Sequence, residues 1–223
     1  MDNFWGTNGC EIFSSLTEKD IGLLKNASKP LAIKKENTLF MQGDTAKSLY
    51  YLKEGRIKLS RLAPDGRKLT LDLVEPKEFF GELCLSTETK RTTIAEAVKD
   101  TTVSVIDRDA FLLFMSTRPD VAVKFLQMIV NKRIVMENLF EDMIFMDVTT
   151  RVAALILRYS EKSTVKIHLT HQEIADMTGT TRVSVSRAIT KLRNDGLIET
   201  SGVRIQILQK QKLKLMIENL SSL

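Results

Sequence analysis

Between Thr170 and Lys191 the chain collects hydrogen-bond donors at helical spacing. Val185, Ala188, Ile189 and Leu192 fall at i, i+3, i+4 and i+7, the pattern of one buried stripe. The rest of that helix then carries Arg182, Val183, Ser184, Ser186, Arg187, Thr190 and Lys191. Guanidinium groups and hydroxyls presented from the first turns of a helix suit base edges and phosphates in a major groove. Arg187 is the candidate bidentate partner of guanine, and Val183 offers an apolar contact where a hydrogen-bond acceptor would read cytosine. Thr170, His171 and Gln172 open the preceding helix, whose narrow apolar side is Ile174, Ala175 and Met177. Gly179 supplies the sharp turn between the two helices, and Thr180 or Thr181 caps the second. Residues 196–200, the turn Ser201-Gly202 and residues 203–208 read as a two-stranded wing. Two helices of an ordinary bundle have the same outline, but a face lined with donors and cations points to double-stranded DNA.

A second constellation could hold an anion. Gly81 permits close backbone approach, Glu82 and Leu83 follow it, and Arg91 with Thr92 offers a charge-assisted clamp for a phosphate or carboxylate. A carboxylate at Glu82 suits a sugar hydroxyl. An inward-facing arginine needs an anionic partner, because an unpaired buried charge is expensive. The alternative is that Glu82 and Arg91 pair with each other.

The elements that must position these groups follow from the pattern. Short alternating runs from Pro30 to Val105 predict antiparallel strands at Leu49–Leu52, Arg56–Ser60, Lys68–Leu73, Arg91–Val98 and Thr101–Ile106. Pro64-Asp65-Gly66 marks a hairpin between the second and third. Strands this short and regular suggest a rolled-up barrel. Residues 16–27 predict a short amphipathic helix capped by Thr17. Pro119 opens a helix running to about Met146, in which Ile129, Met136 and Met143 recur every seven residues with Leu126, Leu139, Phe140 and Phe145 beside them. Such a seam predicts a homodimer interface, the alternative being packing on its own barrel alone. Lys132 and Arg133 interrupt it halfway.

Composition narrows the function classes. A chain of 223 residues, 43% hydrophobic, can bury real cores and holds one or two domains. The net charge of +5 is concentrated after Arg151, where the paired helices lie. No apolar run has membrane length, and MDNFWGTNGC lacks the basic and apolar regions of a signal peptide. Two cysteines, Cys10 and Cys84, build no disulfide framework and cannot supply a four-thiolate iron–sulfur cluster. These features predict a cytoplasmic protein. No paired carboxylates, metal-ligand spacing or nucleophile–histidine motif points to an enzyme.

Taken in order, the motifs resemble a known family. Leu39 to Ala46, followed by Leu49–Leu52 and Gly55, is similar to a first cyclic-nucleotide-binding signature. Phe80 to Leu85 with Arg91-Thr92 resembles a phosphate-binding cassette. Asp147-Val148-Thr149 before Arg151-Val152-Ala153 looks like a hinge, and Leu169 to Leu192 like a helix-turn-helix. Through essentially its whole length the chain resembles the bacterial catabolite activator protein and fumarate–nitrate regulator family. The resemblance implies an α+β chain with three parts: an effector-sensing antiparallel β-roll (1–118), a central dimerisation helix (119–147) and a winged helix-turn-helix domain (148–223). It implies a dimeric transcription regulator with RNA polymerase as a partner and a cyclic nucleotide or other small anion as effector. The alternative is an effector-independent DNA-binding protein whose roll is only a dimerisation or interaction scaffold. Members that bind cyclic AMP place small hydroxyl residues on the long helix, where this chain has Met136 and Glu137, with Asn138 as a further base contact. Cys84 stands where the cassette has a smaller residue. Haem-sensing relatives use sensory-domain histidines, whereas His168 and His171 lie at the DNA-binding end.

Overall fold

Four successive residues, Leu49, Tyr50, Tyr51 and Leu52, are all buried in strand β3 (Ser48–Glu54). A strand sends neighbouring side chains to opposite faces, so its sheet must be covered on both sides. In the computed structural model, which describes residues 17–64, 66, 68–87, 90–162 and 167–218, both covers are present. Leu49 and Tyr51 pack with Leu24 of α1 (Glu18–Asn26), Phe111 and Phe114 of α2 (Arg108–Thr117), and Val121 and Phe125 of α3 (Pro119–Phe145). Phe79, Phe111 and Phe125 meet there with ring centroids 5.2–6.2 Å apart. Tyr50 and Leu52 face the other way and join Ile57, Val74, Ala95 and Ala97 of a second sheet.

Each sheet has four antiparallel strands. The first runs β1 (Ser28–Ile33), β8 (Thr101–Asp107), β3, β6 (Phe79–Phe80). The second runs β2 (Thr38–Phe40), β7 (Ile94–Ala97), β4 (Ile57–Leu62), β5 (Lys68–Val74). The pairing Leu62↔Lys68 closes the expected hairpin, although Asp65 itself lies outside the described residues. So do Leu16, Cys10 and the first ten residues, and Glu88 and Thr89 of the cassette. Strand β7 is shorter than expected. The Arg91 amide donates to the Asp44 carbonyl at 2.7 Å and its carbonyl accepts from Gly43 at 2.8 Å, so this segment holds a loop before it joins the sheet.

The chain forms two compact units, 1–131 and 132–223, the division falling inside the 27-residue α3. The second unit holds α4 (Val148–Lys162), β9 (Ile167–His168), α5 (His171–Thr178), α6 (Arg182–Asn194), β10 (Ile198–Ser201), β11 (Arg204–Ile207) and α7 (Lys210–Glu218). Among the described residues no helix is long and apolar enough to cross a membrane.

The seam expected on α3 divides: Ile129 and Met143 are covered within the chain, whereas Leu126, Met136, Phe140 and Phe145 are exposed. Ile129 packs against the core of its own unit, and Met143 lies against Gly179. Val123 and Val130 in the first unit, and Ile134 and Ile144 in the second, are exposed as well.

Thr17 caps α1 in a reciprocal box with Asp20, and Arg118, at the junction of α2 and α3, bonds both Asp20 and Asp120. Hydrogen bonds from the Thr17 hydroxyl and amide, with Arg118 beside them, hold the Asp20 carboxyl below its ordinary 3.8 against the opposing effect of burial. A folded value below the unfolded one stabilises the fold above that pH, and the contribution is lost as pH falls through the lower value. Asp20→Asn should therefore lower stability to urea at pH 7, with the gap to wild type narrowing as pH is taken below 3.8. A gap that stays constant with pH would assign Asp20 a purely steric role.

Candidate nucleic-acid interface and anion cassette

Two threonine caps and one glycine set the geometry of α5 and α6. Thr170 caps α5 with its hydroxyl on the Glu173 amide (3.1 Å), while its own amide donates to the Glu173 carboxylate (2.7 Å). Gly179 ends the helix at φ +63°, the left-handed conformation that glycine adopts without strain. Of the two candidate caps for α6 it is Thr181 that serves, its hydroxyl accepting from the Ser184 amide at 3.2 Å. The Thr180 amide closes the turn on the Ala175 carbonyl.

Helix α6 buries Val185, Ala188, Ile189 and Leu192, and α5 buries Ile174, Ala175 and Met177. Arg182, Val183, Arg187, Thr190 and Lys191 are exposed, Val183 at 61%. The remaining hydroxyls are used locally. Ser184 meets Thr181 at 3.0 Å, and Ser186 donates to the Arg182 carbonyl at 3.0 Å. His171 is half-buried, and its Nδ1 lies 2.9 Å from the Ser186 hydroxyl, tying the start of α5 to α6. Gln172 is exposed and bonds Asp176. The wing gains a third strand, β9, through the pairings Arg204↔His168 and Ile205↔Ile167. Its tip at Gly202 and Val203 forms, with Leu169, Thr170, His171, Gln172 and Arg182, one concave surface. Arg182, Gln172 and Thr170 at the edge of this largely apolar concavity are groups that can bond the phosphates of a nucleic-acid backbone. At the start of α4, Asp147 accepts from the Thr150 amide at 2.8 Å, which holds its carboxyl below the ordinary range.

In the other unit, Gly81 sits at φ +77°, where a Cβ would lie 2.8 Å from a Tyr50 ring carbon and 3.0 Å from Arg91 Nη1. The Glu82–Leu85 3-10 turn follows, with Glu82 and Leu83 half-buried. Arg91 is 3% exposed. Its Nη1 donates to the Gly81 carbonyl at 2.8 Å and its Nη2 to the Ser48 carbonyl at 2.5 Å. The guanidinium carbon lies 4.4 Å from the Phe40 ring centre and 5.3 Å from that of Tyr50, while Nε is buried without a partner. The alternative, a pair with Glu82, is not found: Arg91 meets carbonyls and aromatic rings, and no carboxylate among the described residues. Half-buried Thr92 accepts from Arg61 through its carbonyl. Met136, Glu137 and Asn138 are exposed on the part of α3 that belongs to the 132–223 unit, and Glu137 pairs with Arg133 at 2.8 Å. Neither unit by itself brings these three to Gly81 and Arg91. Among the described residues no group of three or more His, Cys, Asp and Glu is placed to hold a metal ion.

Comparison with known proteins matches both regions to known domains. Residues 30–118 match the cyclic nucleotide-binding domain and residues 150–216 the Crp-like helix-turn-helix domain. A CRP-like cAMP-activated global transcriptional regulator of Mycobacterium tuberculosis is 28% identical over 210 residues, covering 91% of this chain and 94% of that protein. A cyclic AMP receptor protein of Thermus thermophilus is 27% identical over 201 residues, covering 89% and 93%. Among solved structures, FixK2 of Bradyrhizobium japonicum aligns with a TM-score of 0.77 at 23% identity, covering 85% of this chain and 96% of that one. The chain belongs to the bacterial catabolite activator protein and fumarate–nitrate regulator family. It is a DNA-binding transcription regulator and not an enzyme.

Cys84 is 2% exposed in the cassette, and burial pushes its thiol up to about 11. The thiolate is the reactive form. In a Cys10→Ser background, iodoacetamide at pH 8 should leave Cys84 unmodified until the fold is opened with denaturant. Rapid labelling of the native protein would contradict this burial.

Proposed function

We propose that the protein acts as a homodimer on an inverted-repeat operator, with α6 of each subunit in successive major grooves about 34 Å apart. The observation that carries this reading is the division of α6, which buries Val185, Ala188, Ile189 and Leu192 and exposes Arg182, Val183, Arg187 and Lys191. Arg187 reads guanine, and Arg182 reads a base or holds a phosphate. Val183, with no acceptor, packs on a thymine methyl. Thr170, Gln172 and the wing tip position the backbone, and Ser186 with His171 holds α6 in place. The protein works in the cytoplasm and meets RNA polymerase when bound to its operator.

Val183→Glu should shift preference at one base pair from thymine toward a G·C pair by about 1–3 kcal/mol. Lys191→Ala should weaken all sequences alike and reduce the salt slope by about one. Binding-site selection in which Val183→Glu changes no position would refute the assignment of Val183.

The roll takes a small anionic effector in this reading. A cyclic nucleotide is the class supported by the domain match and by the names of two relatives. Arg91 would clamp it by exchanging the Gly81 and Ser48 carbonyls for the anion. One observation favours the second reading, an effector-independent scaffold: both terminal nitrogens of Arg91 are already bonded to the protein's own carbonyls, leaving only Nε without a partner. Calorimetry with cyclic AMP and cyclic GMP, paired with operator binding, separates the two. Gating predicts heat of binding and tighter operator binding, both lost in Arg91→Lys, since a point charge cannot reproduce the fork. Silence from both nucleotides with undiminished operator binding would favour the scaffold.

A further inference from the structure

A hydroxyl and a histidine between α5 and α6 fix where a proton sits. The Ser186 hydroxyl donates to the Arg182 carbonyl at 3.0 Å, and His171 Nδ1 lies 2.9 Å from the same hydroxyl oxygen. A hydroxyl carries one hydrogen, so towards His171 it can only accept. Nδ1 therefore carries the hydrogen of this contact, and in the neutral ring Nε2 is then a bare acceptor. Half-buried His171 also lines the concave surface between the start of α5, the start of α6 and the wing tip. With Nδ1 held by Ser186, Nε2 is the ring nitrogen left for a ligand there. The charged groups around it divide by sign. The acids of α5 are used within that helix: Glu173 takes the Thr170 amide and hydroxyl, and Asp176 takes Gln172. From α6, Arg182 lines the same surface, and exposed Arg187 follows Ser186. The wing adds exposed Arg204 beside its tip, paired in register with His168 of β9.

We infer that His171 binds a backbone phosphate of double-stranded DNA through Nε2, and does so only by taking up a proton. This rests on the reading above, in which α6 lies in a major groove while the start of α5 and the wing tip meet the backbone. A phosphodiester oxygen offers lone pairs and no hydrogen, so a ring with a bare Nε2 has nothing to give it. The imidazolium donates from both nitrogens, Nδ1 to Ser186 and Nε2 to the phosphate. Contact and proton uptake are thus one event. Histidine changes its charge between about pH 5 and pH 8, so DNA affinity is coupled to pH across that range. A phosphate contact carries no base information, and the coupling is therefore the same on an operator and on unrelated DNA.

The test measures binding of the full-length protein to fluorescent duplexes by anisotropy, on a selected operator and on an unrelated sequence. Ionic strength is held fixed from about pH 6 to about pH 8, within the range in which histidine titrates. Wild-type affinity should fall as pH rises, by the same factor on both duplexes, and one linked proton limits the fall to about tenfold per pH unit. His171→Gln keeps an amide donor that does not titrate and should give a flat profile, while His168→Gln should keep the slope. Ser186→Ala takes the acceptor away from Nδ1, so the neutral ring can carry its hydrogen on Nε2, and the slope should become shallower. Circular dichroism verifies the fold of each variant. A wild-type profile without slope, a slope that survives His171→Gln, or one lost in His168→Gln would overturn the proton-linked contact and leave DNA binding by α6 standing. Operator affinity unchanged in Arg187→Ala would overturn the reading of α6 and the contact together.

Discussion

Burying a cation is costly unless its hydrogens find acceptors, and Arg91 meets that requirement in part, through backbone carbonyls and no carboxylate among the described residues. Its two terminal nitrogens hold the carbonyls of Gly81 and Ser48, its backbone holds Gly43 and Asp44, and its plane lies over Phe40. One residue thereby fixes the start of β3, the loop before it and the turn into the cassette. The surroundings are shaped to it. Gly81 has no room for a Cβ because Tyr50 and Nη1 occupy that space. Tyr50 stacks between Phe40 and Phe80, with centroids 5.6 and 5.2 Å away. Stacking of a guanidinium on a ring contributes about 0.5–2 kcal/mol. The single orphan, Nε, is the one position at which this network lacks an acceptor.

Helix α3 faces two ways. Val121, Phe125, Met128 and Ile129 turn to the core of the first unit, and Asp142 and Met143 turn to α4 and the Gly179 turn in the second. The opposite side carries large apolar side chains in the open. A helix apolar on more than one side is built to be covered on more than one side. Of the expected seam, Ile129 and Met143 are taken up inside the chain, while Leu126, Met136, Phe140 and Phe145 are left exposed.

The parts legible in the sequence are those with local causes. The helix-turn-helix could be read because the buried stripe of α6, the glycine at the turn and the threonine caps each follow from residue type and spacing. The strands β3, β4, β5 and β8 could be read from alternation and the hairpin signal. Strands of two or three residues, β2, β6 and β9, carry too little pattern and exist because a neighbour pairs with them. Helices α2 and α7 are short and follow strands directly, so no turn cluster announces them. The environment of Arg91 was not legible either. Its acceptors are backbone carbonyls more than forty residues upstream and ten residues upstream, and carbonyl groups leave no trace in side-chain chemistry. Side-chain chemistry alone offered Arg91 an anionic ligand or, as the alternative, the Glu82 carboxylate.

Met143 has a mechanical meaning. Its terminal methyl lies 3.5 Å from where a Cβ on Gly179 would be, so the last turns of α3 bear directly on the turn between α5 and α6. Side-chain tips on a helix lie about 5–6 Å from the axis, so rolling α3 by about 10° carries that methyl roughly 1 Å sideways. Close-packed side chains do not absorb such a displacement without rearranging. Within this unit, any roll of the last turns of α3 is therefore felt at the turn between α5 and α6.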